Sequence, residues 1–484
     1  MKGANQTMKN VVVLGKGSLA IKICEWFNQN QNYNLMYVIP VIPSPNWIES
    51  LVSWCLEKNV NWIESGHYKD LPYFKIDLAF SCFYDKIIKK EFPKLKIYNV
   101  PSGTKVFDWN IPPEWNIKDA YILDKNNKKI VDFKNNNLHL VGYSIPVNKF
   151  FSKKKLFNHI YSLPKQPKAI PYITSYYKKY WGFCVSHSKK LQFDKNYKNS
   201  DKFKVVIKSN LNSKGHLNYG ELILNGKSKQ EILISTNVCH PSMANNELSG
   251  PIVSMCLINH FAKIKNLEKT IRFIFIPETI GSITYLSKNL PYLKANVVGG
   301  FNLSCIGDER QYSCMFSKYE NTPSDRAIVE AYNKLKIKFK RYSFLERGSD
   351  ERQYNSPGID LPIASIFRTK YGKYPEYHTS LDDFNLVTEK GIKGGFNVAK
   401  EAINILNKKI IPKNRILCEP QMGKRSLHIT LSTKSNKKSA KHYINFLQYA
   451  DGKNDLKKIS ELIKISYKKT LKIYNILTKY KLIT

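Results

Sequence analysis

EILISTNVCHPSMANNELSGP (231–251) is the stretch that decides the fold. EILIST is an apolar run with the length and composition of a buried strand. A polar loop follows, and PIVSMCLINHFAKI (251–264) continues as a helix. Two other segments end strands in the same way: FIFIPETIGS (273–282) runs into Glu278, and YPEYHTSLDD (374–383) carries His378. Strand ends are where an open α/β sheet places its site. His240, Glu247 and His378 are the residue types that hold zinc by two nitrogens and a carboxylate. Glu278 is the type that takes a proton from an activated water. A single histidine at a strand end is more often structural, so spacing alone leaves both readings open.

Outward from this core, strand and helix patterns alternate through residues 203–411. Residues 1–91 also alternate, from VVVLG (11–15) and the amphipathic LAIKICEWF (19–27) to strands expected at 33–42, 61–65 and 76–84 and a helix at 46–58. That is a βαβ series with a parallel sheet. Residues 92–202 are richer in Pro, Trp and Tyr and read as the start of the main domain plus a small β-rich insertion, with one helix near 154–162. Residues 412–484 end in two amphipathic helices, 455–465 and 466–483, with Ser466 as the N-cap between them. The fold class expected is therefore α/β in four pieces, where 484 residues alone would suggest about three domains.

Composition narrows the classes. At 42% hydrophobic and 13% aromatic, the chain is not mostly disordered. No run of ~18 apolar residues is present to form a transmembrane helix. The first apolar run reads as a strand, not a signal peptide. Nine cysteines, none in a C-x-x-C pair, fit reduced thiols and a cytoplasmic protein. The net charge of +39 invites a nucleic-acid reading. Yet the lysines are spread over every segment, where a binding face would be local. The excess reads as compositional background.

Named motifs sharpen the site. ANNELSG (244–250), NLSCIG (302–307), GSDERQYNSPGIDLP (348–362) and EYHTSLDD (376–383) resemble the blocks of the co-catalytic zinc aminopeptidase superfamily. The resemblance implies a metallohydrolase with His240, Glu247 and His378 on the metal and Glu278 as base. Asn246, Thr279, Ser304 and Ser242 stand where that superfamily carries acids. Neutral side chains cannot offset two dications, so one zinc is expected. Asp350, Glu351 and Arg352 are candidates for gripping the two ends of a substrate, or for an ion network that holds their loop. The implied substrate is a small peptide or an amide-bearing sugar.

A longer match adds VPSGTKVFDWNIPPEWNIKDAYI (100–122), WGFCVSH (181–187) and LCEPQMGKRSLHITLSTK (417–434). Together these resemble an aminopeptidase-like family of unknown function with an inserted β domain and a C-terminal winged helix. Its members are often encoded in surface-polysaccharide gene clusters. Residues 8–91 instead resemble the beginning of formyltransferases related to the methionyl-tRNA enzyme. The Asn99–Ser102 stretch lacks the neighbouring His, and the downstream Asp block is absent, so a truncated half-domain without formyl transfer is expected. The tail's second helix opens with Ser466, Tyr467, Lys468 and Lys469. It lacks the Arg, Asn or Gln that give bidentate base readout, which argues against sequence-specific nucleic-acid binding. A homo-oligomer is compatible with the sequence, and no membrane partner is expected. The alternatives to a hydrolase are a non-catalytic scaffold of the same fold and a winged-helix regulator.

Overall fold

A computed structural model describes residues 8–15, 17–40, 42, 50–73, 78–82, 92, 94–175, 178–408, 410–427 and 437–484. The first unit contains β1 (Lys9–Gly15), α1 (Gly17–Gln29), β2 (Tyr33–Pro40), α2 (Leu51–Glu57) and β3 (Leu78–Cys82). Its strands are parallel in the order β2-β1-β3, the βαβ arrangement the sequence implied. Helix α1 buries Ala20, Ile23, Cys24 and Phe27, a 3–4 spacing that sets one face against Val11 and Val13. The strand expected at 61–65 is reduced to one bridge between Trp62 and Val38, and the N-terminal part of the 46–58 helix lies outside the described residues. Ser50 caps α2 by accepting the Ser53 N–H.

Strand β4 (Lys96–Pro101) belongs to the main sheet, so the chain leaves the first unit before Asn99. An inserted antiparallel sheet follows: β5 (Glu114–Leu123), β6 (Lys129–Asp132), β7 (Val147–Ser152) and β8 (Lys202–Asn212), in the order β6-β5-β8-β7. The insertion thus runs through Asn212, past the expected boundary at 202. The helix expected near 154–162 is a single turn, Lys153–Leu156, continued as a 3-10 turn to His159 and stopped by a short strand at Ile160.

The main sheet has eight strands. After β4 come β9 (His216–Leu224), β10 (Ser228–Asn237), β11 (Lys269–Ile276), β12 (Val297–Leu303), β13 (Ser313–Met315), β14 (Lys340–Tyr342) and β15 (Ile363–Phe367), in the order β14-β13-β15-β12-β10-β11-β9-β4. The central β11, β10, β12 and β15 are parallel. They are flanked by α3 (Ser249–Phe261), α4 (Ile280–Asn296), α5 (Pro323–Lys334) and α6 (Glu389–Asn407). Alternation along β10 explains the layers. Ile232 and Ile234 face α3, α5 and α6, while Leu233 faces Tyr285, Leu286 and Leu293 of α4. Both faces are covered, hence the continuous apolar run in the sequence. At Gly250 a Cβ would lie 2.2 Å from Thr236 Oγ1 and 2.6 Å from the Leu303 carbonyl. That glycine lets the start of α3 sit directly on the strand ends.

The tail holds α7 (Lys437–Tyr449), α8 (Leu456–Leu462) and α9 (Tyr467–Lys479) around Phe446, Ile459, Ile473 and Leu477. Asp455 and Ser466 cap α8 and α9 by accepting the Lys458 and Lys469 N–H groups. Helix α9 turns back on the main domain: Arg326 donates to Asn475 at 2.7 Å, and Lys468 donates to the Lys294 carbonyl at 3.2 Å. Among the described residues, no helix is long and apolar enough to cross a membrane.

Candidate metal centre

The parallel strands β10, β11 and β12 end together, and their loops deliver the site. β10 leads to Asn237, Cys239 and His240, β11 to Glu278, and β12 to Ser304. His378 arrives from the connection between β15 and α6. Ser242, Thr279, Cys305 and His378 in these loops all have positive φ, between 47° and 65°. Such backbone is costly for residues with a side chain and concentrates at functional sites.

Four of the residues singled out from the sequence gather around His240. His240 Nδ1 lies 2.9 Å from Glu247 Oε2, and its Nε2 lies 3.7 Å from Glu278 Oε2. The His240 and His378 ring centres are 5.1 Å apart. Two imidazoles on one tetrahedral zinc, at ~2.0–2.1 Å per bond, hold their ring centres roughly 5 Å apart, so this pair suits a single ion. His378 Nε2 is buried and has no hydrogen-bond partner among the described residues. A buried orphan nitrogen near a second imidazole has capacity for a further partner.

Among the described residues, Cys239, His240 and Glu247 have donor atoms within 4.8 Å of one another, a group that does not include His378. Cys239, which the sequence reading passed over, sits with its Sγ 3.3 Å from His240 Nδ1 and accepts the Glu278 N–H at 3.2 Å. Glu247 also accepts the Cys239 N–H. The set of imidazole, carboxylate and thiol donors fits zinc chemically.

The positions a second ion would use are quiet. The Asn246 N–H donates to Asp382 at 3.0 Å, and the Ser304 hydroxyl donates to the Asn246 carbonyl at 3.5 Å. Both residues are buried and neutral. The Thr279 N–H donates to Asp350 at 2.7 Å.

Electrostatics separate the roles. Burial, with the charge on His240 adding to it, pushes His378 down to about 3, which leaves its imidazole neutral and able to donate a lone pair. His240 moves the other way: burial pulls it down, but the Glu247 hydrogen bond and the Glu247 and Glu278 charges raise it overall. Burial raises Glu278, opposed by His240 and the Ser349 bond. Desolvation of the sulfur and the Glu247 and Glu278 charges lift the Cys239 thiol well above its usual range, although the residue as a whole is exposed. It is therefore a poor nucleophile.

Glu278 is held on one side only. Its Oε1 accepts from Ser349 Oγ at 2.6 Å and from Asn237 Nδ2 at 3.2 Å. Oε2 is left facing His240. Neither Ser349 nor Asn237 was singled out from the sequence, although both flank residues that were. Tyr172 had no such signal, because it comes from the inserted unit. Its N–H donates to the His378 carbonyl at 2.8 Å, and its ring stands edge-on to both histidines, 5.2 and 5.1 Å away.

The Asp350–Arg352 cluster divides. Glu351 is 1% exposed and accepts from the Gly348 and Ser349 N–H groups at 2.8 Å and from the Tyr371 hydroxyl at 2.7 Å. It follows the loop-holding reading. Asp350 is fully buried and is pushed up to about 8 by burial and the Glu278 charge. One of its oxygens accepts from Thr279 and Ser282, and the other has no partner among the described residues. Arg352 donates to Thr279 Oγ1 at 2.8 Å and to the Ser349 carbonyl at 2.9 Å.

Sheet order, crossing helices and strand-end cluster define an aminopeptidase-like fold. A zinc aminopeptidase from Bacillus subtilis superposes with a TM-score of 0.51 over 67% of this chain and 88% of that one, at 12% identity, which speaks to the fold alone. The chain belongs to the family described as a domain of unknown function (DUF4910), matched over residues 85–409, and residues 410–484 match a winged helix-turn-helix family. A relative from Clostridium acetobutylicum is 39% identical over 374 residues, 76% of this chain and 83% of its own. It is named as a presumed polysaccharide biosynthesis protein with an aminopeptidase-like domain. A crystal structure of a presumed peptidase from the same organism has 36% identity and a TM-score of 0.65, covering 83% of this chain and 90% of that one.

Proposed function

We propose that the protein is a zinc-dependent hydrolase of amide bonds, with one ion held by His240, His378 and Glu247. The observation that carries this reading is the orphaned His378 Nε2, on a ring whose centre lies 5.1 Å from that of His240, which itself bonds to Glu247. Zinc, when bound, supplies a Lewis acid for the amide carbonyl and for water. The chain's own residues do the rest. Glu278 takes the proton from water and returns it to the leaving amine. Its raised pKa brings it closer to the working pH, where proton transfer in both directions is efficient. Ser349 and Asn237 fix its orientation. Tyr172 walls the histidines on the side of the inserted unit. The substrate class is a small peptide or an amide on a sugar; the aminopeptidase-like fold and the polysaccharide relative support the two options respectively. Hydrolysis of aminoacyl and N-acyl amide substrates, with Glu278→Gln as control, tests the reading.

A non-catalytic scaffold is the second reading, and the neutral Asn246, Thr279 and Ser304 favour it. It predicts zinc binding with no hydrolysis and a Glu278→Gln protein identical to wild type. The winged-helix regulator has less support, because α9 already bonds to Arg326 and Lys294 of the main domain.

A further inference from the structure

The tightest donor group at the end of β10 differs from the set that the sequence motifs implied. Among the described residues, Cys239, His240 and Glu247 form the sole set of metal-ligating side chains with three donor atoms all within 4.8 Å of one another. No other described cysteine belongs to such a group.

Cys239 and His240 are adjacent in the chain. In an extended strand their side chains would point to opposite faces. The chain leaves β10 after Asn237, and there Cys239 Sγ lies 3.3 Å from His240 Nδ1. Ser242, in the same loop, takes a left-handed φ of 55°. Glu247 comes from the turn Ala244–Leu248 just ahead of α3. One of its oxygens accepts the Cys239 N–H, and the other lies 2.9 Å from His240 Nδ1. Cys239 as a residue is exposed, yet its sulfur is desolvated and lies against this cluster.

The spacing suits one ion. Around a tetrahedral zinc, a ligand nitrogen stands roughly 3.5 Å from a ligand sulfur and roughly 3.4 Å from a ligand oxygen. The observed 3.3 and 2.9 Å fall short of those edges by about half an ångström or less, which small side-chain rotations supply. Charge agrees with spacing. Glu247 and a Cys239 thiolate bring two negative charges to one dication. On coordination the S–H bond breaks, a sulfur–metal bond forms and the proton leaves to solvent; a metal ion deprotonates its thiol ligand outright.

We propose that Cys239 is a ligand of the ion, bound as thiolate beside His240 and Glu247. The inference rests on the one-ion reading and adds a sulfur donor to it, which moves the site's preference toward soft ions such as cadmium. Counting His378, the protein donors number four and fill a tetrahedral sphere. Hydrolysis then needs one of them to give way to water, so the test reads the ligand sphere and not turnover.

Full-length protein freed of metal is titrated with cobalt(II) in oxygen-free buffer and followed by absorption. Tetrahedral cobalt gives visible ligand-field bands, and a thiolate ligand adds a near-ultraviolet charge-transfer band. Wild type shows both. Cys239→Ser keeps visible bands, loses the near-ultraviolet band, and its cadmium affinity relative to zinc falls about tenfold or more. Cys239→Ala, which offers no oxygen in place of the sulfur, loses the same band. Replacing the exposed Cys256 and Cys418 by serine leaves it unchanged. The wild-type band tests the proposal even if a Cys239 variant loosens its loop. Visible bands alone in wild type, or a near-ultraviolet band that survives both Cys239 variants, would overturn Cys239 as a ligand and leave the one-ion reading standing. A wild type that binds neither cobalt nor zinc would overturn both.

Discussion

The main sheet carries two buried charge clusters, and they are finished differently. Toward the start of the central strands, Arg272 donates to Glu231 at 2.6 and 2.8 Å and to Glu221 at 2.6 Å. Tyr285 and Tyr292 donate to the same glutamates at 2.6 and 2.7 Å. The cations and anions there satisfy one another. At the far ends of the same strands, His378 Nε2, Asn237 Oδ1 and Asp350 Oδ2 are buried with no partner among the described residues. Buried polar groups are normally paired, so the unfinished cluster has capacity for further partners. The finished one holds the sheet together.

Breaking each cluster should therefore produce different losses. Arg272→Ala strands two buried glutamates and should cost about 3–5 kcal/mol, read by denaturant unfolding. Glu278→Gln should leave the unfolding midpoint near wild type while lowering amide turnover ~10²–10⁴-fold. Equal losses of stability in the two variants would erase the distinction. Glu247→Gln keeps the side chain's shape but removes a ligand carboxylate; zinc affinity in a chelator competition should fall by more than the ~10–100-fold typical of losing an outer-shell partner.

A separate effect is on pH dependence. Burial and the Glu278 charge push Asp350 in the folded protein up from its ordinary 3.8 to about 8. The folded chain therefore holds a proton that the unfolded chain has lost across this window. That contribution to stability is fully present below about 4 and fades as pH rises through about 8. Melting temperatures of wild type and Asp350→Asn, compared from pH 5 to 9, should diverge accordingly, with wild type losing ground as pH rises. Parallel curves would place the Asp350 proton elsewhere.

Much of this was legible in the sequence because apolar runs and strand-end motifs are local signals. EILIST and FIFIP placed His240 and Glu278 at strand ends, YHTS placed His378 in the loop after a strand, and the fold brings the three near one another. Ser466 was readable as a cap for the same reason. What escaped depends on long-range contact. Tyr172 reaches the histidines only because the insertion folds over the main sheet. Ser349 and Asn237 matter through bonds to Glu278, 71 and 41 residues away in the chain. Strand β8 pairs with β5 across more than seventy residues, so its apolar pattern alone could not assign it to the inserted sheet. The division of Asp350 from Glu351 is a matter of which carboxylate the loop satisfies, and adjacent acidic letters do not reveal it.

The central claim is a single zinc on the His240, His378 and Glu247 cluster, and metal content tests it most directly. Purified full-length protein, dialysed against metal-free buffer after zinc loading, is measured by inductively coupled plasma mass spectrometry beside His240→Ala. The account predicts one zinc per chain in wild type and none in the variant. No zinc, two zincs, or one zinc that survives His240→Ala would contradict it.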